Sequence, residues 1–330
     1  MKNILKLIRF PYLVAIALTQ LAIFFFVVSP VANMAGVPAD KVFPMPILIL
    51  LVTASIFTAA AGYVINDYYD VKIDEINHPL KHLVGKSISK HTTMAIFIVL
   101  SVVAILTGAS IGLYALVELD VPFSLASTYM LLFPVLMGIL WFYSSSYKRF
   151  LVLGNFMASA LYALIPMLVP VYFNFFLTMK FGAAADVIDF SHRLFFIVAC
   201  FSFCVFMWIF VAEVADDFEE EKGDRELECH SFPIVWGHTV AKAIMFAAIL
   251  LFNAVCAHVV FRMLPTISIE LMPSMRYYIC AMLVPSIGVG YLLAKANVRE
   301  DYKNVSFVAK IIAVLCVAYS VVFYFTYGNV

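Results

Sequence analysis

The sequence predicts an all-α, polytopic membrane protein: a bundle of nine transmembrane helices in a single domain over residues 1–330. Three observations lead there. Hydrophobic residues make up 64% of the chain and charged residues only 13%, against roughly a quarter charged in soluble domains. Nine apolar runs come close to the ~20 residues that cross a bilayer. Lipid offers backbone groups no partner, so each run has to be helical. Lys and Arg, finally, concentrate in every second connection between runs, as the positive-inside rule requires.

The first run, Pro11 to Val28, follows a basic start at Lys2, Lys6 and Arg9. It is long enough to span and no small-residue cleavage pattern follows it, so it reads as a membrane helix rather than a signal peptide. The second, Met45 to Ile65, ends in the polar string N-D-Y-Y-D-V-K-I-D at residues 66–74. Thr92 to Val117 and Leu125 to Phe142 come next, then the segment Tyr143 to Lys148. The fifth and sixth runs are Leu151 to Phe176 and Leu194 to Val214, the sixth leading into the acidic stretch Glu213 to Glu228. Thr239 to Phe261, Tyr277 to Ala294 and Val305 to Phe325 complete the set. No linker rich in Pro, Gly or Ser interrupts the chain, which argues for one helical domain.

Sixteen of the Lys and Arg residues fall on one side of this threading and five on the other. That bias puts the N-terminus and both acidic stretches in the cytoplasm, in a multi-pass cell-membrane protein. The six cysteines show no metal-type CxxC spacing and mostly sit in apolar runs, so they read as buried thiols. No nucleic-acid partner is expected, and the sequence leaves the oligomeric state open.

Charge is unevenly spread beneath a formal net charge of zero: thirteen of the twenty-one acids lie among Asp67, Asp70, Asp74, Glu75 and the stretch from Glu213 to Glu228. Asp67, Asp70 and Asp74 recur at i, i+3 and i+7, and so do Asp217, Glu220 and Asp224; that spacing stacks side chains on one helical face. The rows follow the second and sixth runs, four spans apart, which hints at an internal duplication carried by little beyond the carboxylate spacing. An ionised carboxylate at a membrane boundary is expensive unless paired or metal-bound. Taken singly, each row also fits a solvated helix end; the coincidence of spacing and sidedness favours function. Carboxylates from two helices suit Mg²⁺ when water and phosphate oxygens complete its shell. A diphosphate would then be the substrate, with cationic help on the same side from His78, Lys81, Lys86, Lys148, Arg149 and Arg9, each of which also fits a plain topology role. Ionisation of an allylic diphosphate needs a metal Lewis acid, a diphosphate site and an apolar cavity. Aromatic faces, abundant in a chain with thirty-one Phe, would shield the cation.

These residues resemble the UbiA superfamily of intramembrane prenyltransferases along nearly the whole chain. The family's first motif, N-D-x-x-D-x-x-x-D, stands complete as Asn66, Asp67, Asp70 and Asp74, followed by Asn77 and Pro79 where an N-R-P element is typical. The second, D-x-x-D-x-x-G-D, is matched by Asp217, Glu220, Gly223 and Asp224, with Ser231, Phe232 and Pro233 at the following triplet. The resemblance implies nine helices around a central lipid-accessible cavity. It also implies Mg²⁺ at Asn66, Asp67, Asp70 and Asp74 and at Asp217, Glu220 and Asp224, with Asp67, Asp70, Asp217 and Asp224 catalytic. Diphosphate contacts are implied for the element containing Tyr143, Lys148 and Asn155. Three positions depart from the family pattern: His78 and Lys81 replace arginines, and Glu220 replaces an aspartate. Histidine cannot form the bidentate fork of arginine.

The implied partners are a prenyl diphosphate donor, membrane lipids and a lipid or aromatic acceptor. The opening L-I-R-F-P-Y-L and both motifs look most like the branch acting on geranylgeranylglyceryl phosphate, so a prenylglyceryl phosphate hydroxyl is the expected acceptor, with a quinone precursor such as hydroxybenzoate or dihydroxynaphthoate second. A transporter would need ionisable residues deep in the spans, which are scarce; a non-catalytic isoprenoid binder would not need intact acidic rows.

Overall fold

The computed structural model describes residues 2–79, 82–182, 184–267 and 271–327. Among the described residues, nine helices are long and apolar enough to cross a membrane: α1 (Phe10–Met34), α2 (Met45–Tyr69), α3 (Lys90–Glu118), α4 (Phe123–Ser145), α5 (Leu153–Phe181), α6 (Ala185–Glu226), α7 (Gly237–Met263), α8 (Leu271–Lys295) and α9 (Arg299–Tyr327). The expected all-α class holds; extended pairing among the described residues amounts to one isolated bridge, Val84 to Ile88. Hydropathy located each span but underestimated α6. That helix runs 42 residues, carrying the second acidic row on its own extension beyond the apolar stretch.

Three helices contain a π-type turn, at Phe24–Val28, Val259–Met263 and Tyr278–Leu283. Each turn ends two residues before a proline: Pro30, Pro265 and Pro285. Proline brings no N–H for the carbonyl four residues back and its ring crowds that carbonyl, so the preceding turn widens to the next available donor.

The chain packs as two compact units. One comprises residues 1–21, 38–148 and 168–193, the other residues 22–37, 149–167 and 194–330. In the first unit α2 packs along α3 and α4 through buried Ala61, Val64, Ile65, Ala104 and Met137. Gly108 and Gly112 on α3, a G-x-x-x-G pair, let α4 approach: a Cβ at Gly108 would lie 2.2 Å from Phe133 Cδ2, and one at Gly112 2.5 Å from Met130 Cγ and 2.9 Å from the Ala126 carbonyl. Small residues provide such close backbone approach where lipid supplies no hydrophobic drive between helices. In the second unit α8 packs on α7 and on α9, and Met245, Phe252, Val289, Leu293 and Ile312 of these helices are buried.

Candidate active site

The first acidic row does not lie on one uninterrupted helix. α2 ends at Tyr69, Asp70 sits at the junction with φ −84° and ψ 3°, and a short helix, Val71–Asn77, follows. The i to i−4 bonds nevertheless continue, Asp70 N to Asn66 O at 2.9 Å and Asp74 N to Asp70 O at 2.8 Å. The three carboxyls therefore keep close to one face while the chain bends at Asp70.

Two cations distant in sequence reach this row. Arg9 Nη2 donates to Asp67 Oδ1 at 3.1 Å, with its guanidinium 5.1 Å from the Tyr63 ring centroid. Arg9 has a positive φ of 50°, an uncommon state for a non-glycine residue; it breaks the chain between the helix Lys2–Leu7 and α1. Lys148, in the short 3₁₀ turn Tyr147–Arg149, forms an ion pair with Asp70 Oδ2. Asn66 Nδ2 donates to that same oxygen at 2.7 Å. Asp74, beyond the end of α2, has its carboxyl raised to about 6, first by burial and then by the charges of Asp70 and Asp67, with Lys148 and Arg9 opposing. Behind the row, Tyr69 packs edge-on against Trp141 at 5.9 Å and against Tyr68 at 5.4 Å.

The second row sits on the last turns of α6. Asp217 Oδ2 accepts from Asn155 Nδ2 at 3.0 Å and from the Phe232 backbone N–H at 3.4 Å, and Asp224 and Glu213 are its charged neighbours. Asp224 is buried and Glu220 half-buried. Phe232 also packs against Phe210 at 6.0 Å, so this row too has aromatic backing. Packing sorts the remaining acids of α6. Asp216 pairs with Lys310 of α9 at 2.8 Å, Glu219 with Arg299 at 3.6 Å, and Glu221 with Arg225 and His238, both at 2.7 Å. Sequence reasoning missed this division because Lys310, Arg299 and His238 come from other helices, and only the Glu221–Arg225 pair is local, at i, i+4 on α6; for the other three acids the i, i+3, i+7 spacing was the available sign.

The expected cationic residues fare differently. Lys148 and Arg9 lie on the first row and Asn155 on the second. Lys86 instead donates to the Pro79 carbonyl. His78 caps the short helix, its N–H bonded to Asp74 O at 2.8 Å. Arg149 is exposed, its carbonyl accepting from His230 N at 3.0 Å. Tyr143 is half-buried on the last turn of α4, and Lys81 lies outside the described residues.

Among the described residues no group of three or more His, Cys, Asp or Glu side chains forms a ready metal cage. Mg²⁺ does not require one: it typically takes one or two carboxylates and completes its shell with water and phosphate. The Asp74 carboxyl is raised first by burial and then by the charges of Asp70 and Asp67, and a divalent cation would favour its ionised form against both. Both rows therefore fit Mg²⁺ in donor type and charge.

A family model described as the UbiA prenyltransferase family matches residues 21–313. Among curated proteins, a digeranylgeranylglyceryl phosphate synthase of Haloquadratum walsbyi is 29% identical over 205 residues, 60% of each chain. One from Methanosphaera stadtmanae is 28% identical over 203 residues, 61% of this chain and 62% of its own. One from Sulfolobus acidocaldarius is 34% identical over 124 residues, 38% of this chain and 39% of its own. The chain thus spans about 60% of the length of the first two relatives. A solved structure, described as giving insights into digeranylgeranylglyceryl phosphate synthase in membranes, superposes with a TM-score of 0.54 at 20% identity, covering 100% of this chain and 99% of its own. That likeness concerns the fold.

Proposed function

We infer the reaction from a premise of membership: this chain belongs to the UbiA prenyltransferase family. It transfers a long prenyl group from an allylic prenyl diphosphate to the hydroxyl of a membrane-held prenylglyceryl phosphate, with Mg²⁺ as cofactor, and the N-terminus and acidic rows face the cytoplasm. The acceptor reading is supported by the names of the relatives. One observation carries the donor reading: Arg9 and Lys148, 58 and 78 residues away in sequence from their partners, are brought onto the Asp67–Asp70 row. A mixed cluster of carboxylates and cations is what a metal diphosphate meets, carboxylates facing the metal and cations facing phosphate oxygens.

Asn66, Asp67, Asp70 and Asp74 would hold one Mg²⁺, and Asp217, Glu220 and Asp224 the other. When bound, the metal supplies Lewis-acid stabilisation of the departing diphosphate. The chain's own groups do the rest. Lys148 and Arg9 neutralise the leaving group as the allylic C–O bond breaks. Asn155 and the Phe232 N–H hold Asp217 in one orientation. The Tyr68, Tyr69 and Trp141 faces shield positive charge on the prenyl carbon until the acceptor oxygen bonds to it and its hydroxyl proton passes to the departed diphosphate. Purified protein given Mg²⁺, labelled geranylgeranyl diphosphate and a prenylglyceryl phosphate should yield the diether mass. Asp67→Ala and Asp224→Ala should abolish that product while expressing normally in membranes; near-normal turnover by both variants would refute the mechanism.

A further inference from the structure

Apart from the acidic rows, the second unit holds a cavity of about 460 Å³ lined by His238, Thr239, Lys242, Phe246, Asn297 and Tyr302, with Ala243 among them. Its wall is a stack of rings: His238 lies edge-on to Phe218 at 5.0 Å, and Phe218 stacks on Tyr302 at 4.2 Å with the planes 5° apart. Against this wall the Lys242 ammonium is already placed, 5.5 Å from the Tyr302 centroid and hydrogen-bonded to the Ala296 carbonyl. Tyr302 Oη–H donates to the same carbonyl at 3.3 Å. The two carboxylates nearby each have partners, Glu221 through the lining residue His238. Asp301 accepts from the backbone N–H groups of Asn297 and Val298 at 2.9 and 3.1 Å, and Glu221 is held between Arg225 and His238.

The lining is graded along α7. Thr239 and Lys242 occupy its first turns, and Ala243 and Phe246 follow one turn further into the span. A Cβ at Gly290 of α8 would lie 3.6 Å from the Phe246 ring, so the apolar end is closed by helix–helix contact. Val240 and Leu250 on α7 are exposed apolar residues on neighbouring faces. Asn297 Nδ2 already donates to the Lys295 carbonyl at 3.0 Å and His238 Nε2 faces Glu221, so the donors left for a ligand are the remaining N–H groups of Lys242 Nζ and the Thr239 hydroxyl, a charged and a neutral donor that suit a phosphate. The apolar end suits hydrocarbon.

We propose that this cavity is a headgroup site for a phosphate-bearing amphiphile, in which Lys242 holds the phosphate and the face of Ala243 and Phe246 takes the start of the chain. Two sources share that chemistry, the prenylglyceryl phosphate acceptor and an anionic phospholipid of the bilayer. The site itself does not rest on the acceptor reading.

The test uses the full-length protein in detergent micelles, with native mass spectrometry of retained lipid. The probes are phosphatidylglycerol, a prenylglyceryl phosphate and the same prenylglycerol without phosphate. The wild type should retain a phosphate-bearing probe and not the dephosphorylated one. Lys242→Gln, and independently Thr239→Glu at an exposed position, should lower retention roughly tenfold, as expected for losing or opposing one basic contact with a headgroup, and Thr239→Glu should do so without shifting thermal unfolding. If the acceptor is the ligand, the KM for acceptor rises by a similar factor while that for prenyl diphosphate stays fixed. If a bilayer lipid is the ligand, phosphatidylglycerol retention falls with both KM values unchanged. Equal retention of all three probes by wild type and folded variants overturns the site, whatever the activity. A wild type that retains lipid but transfers no prenyl group rejects the proposed reaction instead.

Discussion

Replacing Lys148 with methionine tests the first acidic row most directly. Its ammonium meets Asp70 Oδ2, and the two side chains are 27% and 9% exposed. Methionine keeps the aliphatic length and removes the charge. Two effects follow, and they separate. In the resting protein Asp70 keeps its bond from Asn66 but loses its ion-pair partner. Breaking a buried pair costs about 3–5 kcal/mol and a surface pair ~0–1 kcal/mol, so this pair, with Asp70 nearly buried and Lys148 partly exposed, should cost about 1–3 kcal/mol, a drop of a few degrees in Tm for a protein of this size. During turnover the lost cation would have faced the departing diphosphate. Removing one preorganised donor to developing negative charge costs ~10²–10³ in kcat. Lys148→Met should therefore lose at least about a hundredfold in kcat, while Lys148→Arg, which keeps the charge, recovers most of it. The assay is formation of prenylated product from labelled donor at saturating Mg²⁺, beside thermal unfolding in detergent. A Lys148→Met variant within about twofold of wild-type kcat, with the same Mg²⁺ requirement, would refute the assignment.

Two further outcomes are expected. The Asp74 carboxyl, raised to about 6, binds a proton in the metal-free folded chain between its ordinary value of 3.8 and that point, so its contribution to metal-free stability is present at low pH and is lost as pH rises through about 6. Mg²⁺ must displace that proton. The Mg²⁺ concentration for half-maximal activity should thus climb by up to ~tenfold per pH unit below 6, and Asp74→Asn should flatten the dependence in Mg²⁺ titrations at pH 5, 6 and 7. Gly112→Ala places a methyl 2.5 Å from Met130 Cγ and 2.9 Å from the Ala126 carbonyl; because the carbonyl belongs to the backbone, the helices must separate, at a cost of about 1–3 kcal/mol, read as a lower Tm than that of Gly138→Ala, where a Cβ meets nothing within 4 Å.

How much was legible in advance depended on how local each feature is. Apolar runs of bilayer length and a carboxylate repeat at i, i+3 and i+7 are properties of one segment, and a helix turns them into a span and an acidic face with no outside help. Even there, the bend at Asp70 was hidden, because spacing alone does not reveal where a helix breaks. The widened turns ahead of Pro30, Pro265 and Pro285 were in principle readable, since proline acts on its own helix.

Partner choice belonged to the tertiary structure. His78, Lys86, Lys148 and Arg149 look alike to a count of positive charge near a motif. Packing sent Lys148 to Asp70, Lys86 to the Pro79 carbonyl and His78 to a helix end. On α6, adjacent Asp216 and Asp217 point to opposite fates, one neutralised by Lys310 and the other held by Asn155. The sequence by itself determined a nine-span membrane chain with two acidic rows, because those follow from residue type and helical period. Which cation meets which carboxylate, and that Lys242 lies over Tyr302 beside a cavity, were decided only by helix packing, since a side chain's partner is set by the rotation and approach of helices dozens of residues apart.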